Sequence, residues 1–406
     1  MKTPRAKSNK AKAKPEPRGP AVWENWKAAL AGREFPGAYE VPLYTDARIT
    51  GELKEGYGPY QLLNIGARQR RGAVRTAIVL RAEAQLIFDS NEMVSQLKDL
   101  PRGKDSKRYH GGGRDDEVAA LFSLSLGIRL KPGDWSRDFM PGDPKGTPRS
   151  AFGPEPVLLP RAYGVVIPRA AREQSLNDDT LVKHLPSLEP SDAFAVVRAA
   201  RLYQDALWIA ESQPALAWLM FVSAVETAAG HWQTKAACAS EMLRLWNPDL
   251  EGLLREYGGD ELVSKAADML VELMRSKKKF VDFVLEFRPG PPHERPPEWA
   301  RCSWDEEALR GGLGRIYDYR SRALHDGTPF PLPMCEPPWI GDGMSVAVER
   351  PRGEGTYLPA AGVRWTKDDL PMHLHTFEYI VQGALCKWWK DMVERRTDTA
   401  EGGCAT

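Results

Sequence analysis

Apolar residues fall into two regimes along this chain. In the first 170 residues they gather in short runs rich in aromatic and β-branched side chains, which predict strands at 60–65, 73–81, 157–159 and 165–167. Two helices interrupt them: a short one at 23–30, and one at 115–126 with acids in its first turn and Gly127 just past its end. The stretch 131–156 is loaded with Pro, Gly and Asp and reads as a loop.

Beyond Pro168 the period changes to three and four residues, the signature of amphipathic helices. Ser191 is placed to cap a helix running to about 211, and Ser212 with Pro214 in the first turn opens a second that ends near Gly230. Helical stretches follow at 235–246, 261–274 and 278–287, and the prolines of 289–297 break the pattern. Ser303 with Glu306 three residues on has the spacing of a capping box, opening a helix to about 324. A proline-rich loop at 329–338 and a β-like stretch at 345–349 precede a last helix over 369–394. The expected fold is an α+β amino-terminal domain over 21–185, then a mainly α helical bundle over 190–400.

Charge alters this picture only at the amino terminus. Lys and Arg number 56 against 55 for Asp and Glu, which excludes a uniformly basic coat for nucleic acid. Residues 1–20 nevertheless hold seven basic residues and one acid, Glu16. So polar a segment cannot offset its own ordering entropy, and a flexible tail is expected, serving as a solubiliser or a nucleic-acid contact. The most apolar stretch, Ala215–Val225, is eleven residues long, well short of the ~20 that span a bilayer, so no membrane partner is expected. Cys238, Cys302, Cys335, Cys386 and Cys404 form no C-x-x-C pair, which suggests neither a disulfide framework nor a zinc site. With no secretory leader, the expected setting is reducing and cytoplasmic.

The sharpest candidate chemistry is the run Ile316-Tyr317-Asp318-Tyr319-Arg320-Ser321-Arg322-Ala323-Leu324-His325-Asp326-Gly327. Asp326-Gly327 is a helix stop, so Arg320 falls in the last turns and His325 at the carboxyl end. That end favours a cation, and the histidine pKa is expected to rise towards neutrality or above. Five residues at 100° each make about 500°, so on a regular helix the two side chains diverge by about 140°. They converge only if the helix unwinds at His325 or if a second copy packs against the first. An Arg and a titrating His beside a phosphodiester suffice for transesterification of RNA. The His exchanges protons with the ribose 2′-OH or the leaving oxygen, and the Arg stabilises the phosphorane charge.

Arg320, four residues, then His325-Asp-Gly after an amphipathic helix resembles the motif of HEPN-domain ribonucleases, in particular their Apea-like branch. The segment 206–226, with the acidic Glu226 inside an apolar helix, is similar to that family's early helix pair, and 115–129 resembles the region ahead of the domain. The resemblance covers about 190–395, and more loosely 60–170. It implies a HEPN-type helical bundle and a metal-independent endoribonuclease without cofactor, leaving a cyclic phosphate and a 5′-hydroxyl. It also implies a homodimer whose two Arg/His pairs share one cleft, acting on RNA in phage defence or as a toxin, with a regulatory or defence-system partner protein. By carry-over Arg320 binds phosphate and stabilises the transition state, and His325 is the general acid/base. Ser321 stands where many relatives have Asn, Asp or His, and Gly327 where another branch has a modifiable Tyr. The alternative is a non-catalytic HEPN scaffold that binds RNA or a partner protein.

Around this pair, Glu226 is placed to orient Arg320 or Arg322, or to form a structural salt bridge. Tyr319 and Arg322 flank the motif as RNA contacts. Lys277, Lys278 and Lys279 read as the start of a helix, where cations are disfavoured and a phosphate would relieve them. Arg68, Arg70, Arg71 and Arg75 flank an expected turn as a second basic patch. His110-Gly-Gly-Gly113 and Gly343-Met-Ser345 mimic an esterase loop and a nucleophile elbow, but no helix follows Ser345. His373 and His375 lie two apart near a helix start; their side chains should diverge by about 200° and hold no metal.

Overall fold

The computed structural model describes residues 18–34, 37–66, 74–84, 109–159, 164–176, 180–232, 239–341, 344–351, 356–358 and 362–402. Residues 1–17 of the basic tail, and Arg68, Arg70 and Arg71, lie outside this set.

Helix α1 (Ala21–Leu30) buries Val22 and Trp26, four apart on one face. Its first amides, on Ala21 and Val22, donate to the buried Glu117 carboxylate at 3.2 and 2.6 Å. The chain then lays down β1 (Gly37–Thr45), β2 (Arg48–Thr50), β3 (Tyr60–Asn64), β4 (Arg75–Ala84), helix α2 (Arg114–Leu126) and short strands β5 (Lys131–Pro132), β6 (Arg137–Phe139), β7 (Thr147–Pro148) and β8 (Glu173–Ser175). Strands β3-β4-β1-β6-β7 form an antiparallel sheet with β5 also on β1, while β2 and β8 pair in parallel. Tyr39, Val41 and Leu43 of β1 stand opposite Ala82, Leu80 and Ile78 of β4, and all six are buried. α2 packs beside α1, and Gly127 ends it at φ +66°, a left-handed cap that a side chain would strain.

The strands expected at 157–159 and 165–167 do not form. Val157 and Leu159 are exposed, and the amides of Val166 and Ile167 donate to Glu211 at 2.7 and 3.2 Å instead of to a neighbouring strand.

The second half is mostly helical: α3 (Pro190–Ile209), α4 (Pro214–His231), α5 (Ala239–Trp246), α6 (Pro248–Glu286), α7 (Glu306–His325), a single turn α8 (Leu332–Cys335), the hairpin β9 (Thr356–Leu358) and β10 (Val363–Trp365), and α9 (Leu374–Gly402). The caps differ from those expected. Glu189 and Gln213 precede α3 and α4, whose prolines occupy the first turn, and Asp305 caps α7 by accepting from the Ala308 amide at 2.8 Å. The stretches 261–274 and 278–287 join into α6, whose non-helical residue is Gly259 at φ 61°, ψ −163°. Residues 345–349 form no strand, because Glu349 is drawn into an ion pair with Arg295 and the Val348 amide donates to Trp339.

One apolar core runs continuously from Val22 to Met392, so the sheet region and the helical part share it. α3 lies between α2 and α4, and α9 packs across α2, α3 and α4. Trp218 of α4 is stacked between Phe330 and Phe377, with ring centroids 5.2 and 4.7 Å away. A fully buried Arg129 ties the two regions: its Nη1 donates to Asp46 at 2.6 Å, its Nε to the Leu207 carbonyl at 2.9 Å and its Nη2 to Glu211. A separate small cluster, Leu243, Val263 and Ala267, joins α5 to the first half of α6. Among the described residues no helix is long and apolar enough to cross a membrane.

Candidate functional site

Helix α7 sets the site. Its inward stripe, Leu309, Leu313, Ile316 and Tyr317, recurs at three- and four-residue steps and is buried against the core. Arg320, three residues past Tyr317, therefore faces inward as well. Its Nη2 donates to Glu226 Oε2 at 2.7 Å, and its guanidinium lies 5.5 Å from the Tyr317 ring. The Tyr317 hydroxyl donates to the other oxygen of Glu226 at 2.9 Å. Burial, with the Glu226 carboxylate beside it, pushes the Tyr317 phenol up to about 12. Glu226 thus pairs with Arg320, not Arg322, and holds a phenol and a guanidinium on its two oxygens. Sequence reasoning missed Tyr317, although its position three residues before Arg320 puts both on one helix face. The Arg320 Nε is buried with no hydrogen-bond partner.

His325 closes the helix and is exposed. The backbone stays helical through it, the Asp326 amide donating to the Arg322 carbonyl at 2.8 Å, and Gly327 turns the chain at φ +68°. Unwinding therefore does not bring Arg320 and His325 together within one chain. Ser321 is half-buried between them. Tyr319 is buried, and its hydroxyl donates to the Asp369 carbonyl at 2.7 Å. The Arg322 guanidinium lies 5.5 Å from the Tyr319 ring on the exposed side. Tyr319 is therefore a packing residue that supports Arg322.

The three lysines do not open a helix; they lie deep within α6, so no unfavourable helix-start charge needs relief there. Lys277 reaches across to α7 and donates to both oxygens of Asp318 at 2.7 and 2.8 Å. Lys278 pairs with Asp282 one turn on, and Lys279 is half-buried beside them. Asp318 sits two residues before Arg320, so this pair fixes the rotation of α7 relative to α6.

The two histidines near α9 also differ from expectation. The helix begins at Leu374, after His373, so the two do not share one helical turn; their rings lie 5.9 Å apart at 28°. Among the described residues no group of three or more His, Cys, Asp or Glu side chains is arranged to hold a metal ion. Burial depresses the His373 pKa to about 3, aided by His375, whose own pKa is lowered by burial. Glu349, Glu378 and Arg169 also act on His375. Because the folded pKa lies below the unfolded one, stability is full above about pH 6.5 and is lost as pH falls towards 3. At pH 5 the loss from His373 amounts to about 2 kcal/mol. Urea unfolding at pH 7.5, 6 and 5 should show this slope, and His373→Leu should flatten it; an equal slope in the variant would assign the acid sensitivity elsewhere.

No family model, curated protein or solved structure matches this chain.

Proposed function

We propose that this chain is a metal-independent endoribonuclease of the HEPN type, working as a homodimer. The observation that supports it is the end of α7. An inward Arg320 is held by Glu226 and Tyr317, five residues before an exposed His325 on an unbroken helix. Within one chain the two side chains leave the helix about 140° apart, so the site is complete only when a second copy brings its own end of α7 alongside.

In that cleft one His325 takes the proton of a ribose 2′-OH as the oxygen attacks the adjacent phosphorus. The phosphorus–5′-oxygen bond breaks, and the leaving oxygen takes a proton from a water molecule that the histidinium then reprotonates, giving a 2′,3′-cyclic phosphate and a 5′-hydroxyl. Arg320 stabilises the extra negative charge of the phosphorane. Glu226 keeps the guanidinium in one orientation through Nη2, leaving Nη1 for the phosphate. The reading includes a reducing, cytoplasmic setting and a role in defence or toxicity under a regulatory partner, with the sheet region sensing that partner or setting specificity. Among the described residues Cys302, Cys335 and Cys386 form no disulfide, which fits the reducing setting. The charge of Arg320 is already matched by Glu226, which favours a second reading, a non-catalytic scaffold that binds RNA or a protein.

Incubating the purified chain with mixed cellular RNA in EDTA separates the two. Cleavage to cyclic-phosphate ends, lost in Arg320→Ala and in His325→Ala, is the expected result. RNA binding without cleavage, surviving both substitutions, would establish the scaffold.

A further inference from the structure

A cavity opens where α3, the end of α4 and α9 meet. It has a volume of about 710 Å³ and is lined by Asp192 of α3, His231 at the end of α4, Trp232, and Trp388, Asp391, Met392, Arg395 and Arg396 of α9. Its floor is aromatic and braced. The rings of Trp232 and Trp388 each meet Phe283 edge-on, at 5.9 and 5.8 Å, and Trp232 also meets Phe287 at 5.6 Å. Trp388 is buried while Trp232 is half-exposed, so Trp232 offers a surface whose rotamer is already fixed by packing.

The polar wall carries matched charges. His231 Nε2 is 2.8 Å from Asp192 Oδ1, Arg395 pairs with Asp391, and Arg396 pairs with Glu189. With every cation beside a carboxylate, the wall carries no surplus positive charge to select a bare anion. It presents carboxylate acceptors and guanidinium donors side by side, over an apolar ring surface. Planar heterocycles with both donors and acceptors on one edge fit such a wall, and a cleft of this size has room for one with its sugar.

The geometry points to a nucleoside-binding site, with the base on Trp232 and its edge against Asp192, His231 and the α9 guanidiniums. This site does not depend on Arg320 and His325, which lie on α7. It is nevertheless connected to them through α4: His231 is five residues beyond Glu226, a rise of about 7.5 Å along the helix.

Calorimetric titration of the full chain with guanosine, adenosine, cytidine and uridine, and separately with inorganic phosphate, tests the assignment. At least one nucleoside should bind with Kd below about 1 mM while phosphate does not. Trp232→Ala should weaken that binding about tenfold or more, whereas Trp232→Phe, which keeps an aromatic surface, should stay within about threefold. Asp192→Ala, on the polar wall, should also lose about tenfold, which covers the case in which Trp232→Ala does not fold. Arg320→Ala and His325→Ala should bind as the parent does, so a failed ribonuclease reading leaves this one standing. Binding by none of the four nucleosides would overturn it, as would phosphate binding in their place, or unchanged affinity in a folded Trp232→Ala or Asp192→Ala.

Discussion

Mixing Arg320→Ala with His325→Ala should restore RNA cleavage that neither variant shows alone. Removing the general acid/base or the phosphate-stabilising cation should lower the rate by about 10²–10⁴-fold in each homodimer. A mixed dimer keeps one intact arginine and one intact histidine, on different copies. If the cleft is composite, those two groups meet in it, and cleavage should rise at least about tenfold above either variant after subunit exchange. The geometry of α7 is what makes this informative. Arg320 is fixed inward on Glu226 and Tyr317 while His325 points to solvent, so a site within one chain has no route to convergence short of melting the last turn. Neither substitution should cost much stability. His325 is exposed, and after Arg320→Ala the half-exposed Glu226 keeps the Tyr317 hydroxyl. Verified exchange without recovered cleavage would reject the shared cleft.

The largest effect on stability should come from Arg129→Ala, a loss of about 3–5 kcal/mol. Arg129 is fully buried, and so are the two carboxylates it neutralises, Asp46 and Glu211. Burial lifts the Asp46 pKa and Arg129 opposes that lift. Without the guanidinium, both buried carboxylates lose the charge that offsets their desolvation. Glu211 also receives the Val166 and Ile167 amides, so the loop joining the sheet to α3 loses its anchor as well. Denaturant unfolding of the variant at neutral pH measures the loss, and adding Asp46→Asn should return part of it by removing one stranded charge. A loss below about 1 kcal/mol would mean that water already reaches the triad.

Much of this architecture was legible in the residues. Helices at 23–30 and 115–126, the paired helices around Pro214, the long α7 and the strands at 60–65 and 73–81 follow from local period and from Gly and Pro punctuation. What escaped was set by partners far away in sequence. Strand β1 contains Gly37 and Pro42, both weak strand formers, and exists because β4 flanks it on one side and β5 and β6 on the other. The stretch 165–167 has strand-like residues, yet a glutamate 44 or 45 positions away takes its amides. The three lysines looked misplaced only because the break in α6 falls at Gly259 and not before them. At the site, the spacing of Arg320 and His325 was readable and their placement on the last turns of a helix holds. Glu226 was foreseen as a partner with two possible arginines, and helix phase decides for Arg320. The Lys277–Asp318 bond needed the packing of α6 on α7, which no local pattern encodes.

The satellite cluster of Leu243, Val263 and Ala267 has a kinetic consequence. It stands apart from the main core, whereas Phe280, Phe283 and Phe287 further along belong to that core. The long helix is thus divided between two cooperative units, with Gly259 marking a place where helical order is already interrupted. The arm made by α5 and the first half of α6 can open while the remainder of the molecule keeps its fold. In heavy water its amides should exchange first and those of 280–286 among the last, a gradient along α6.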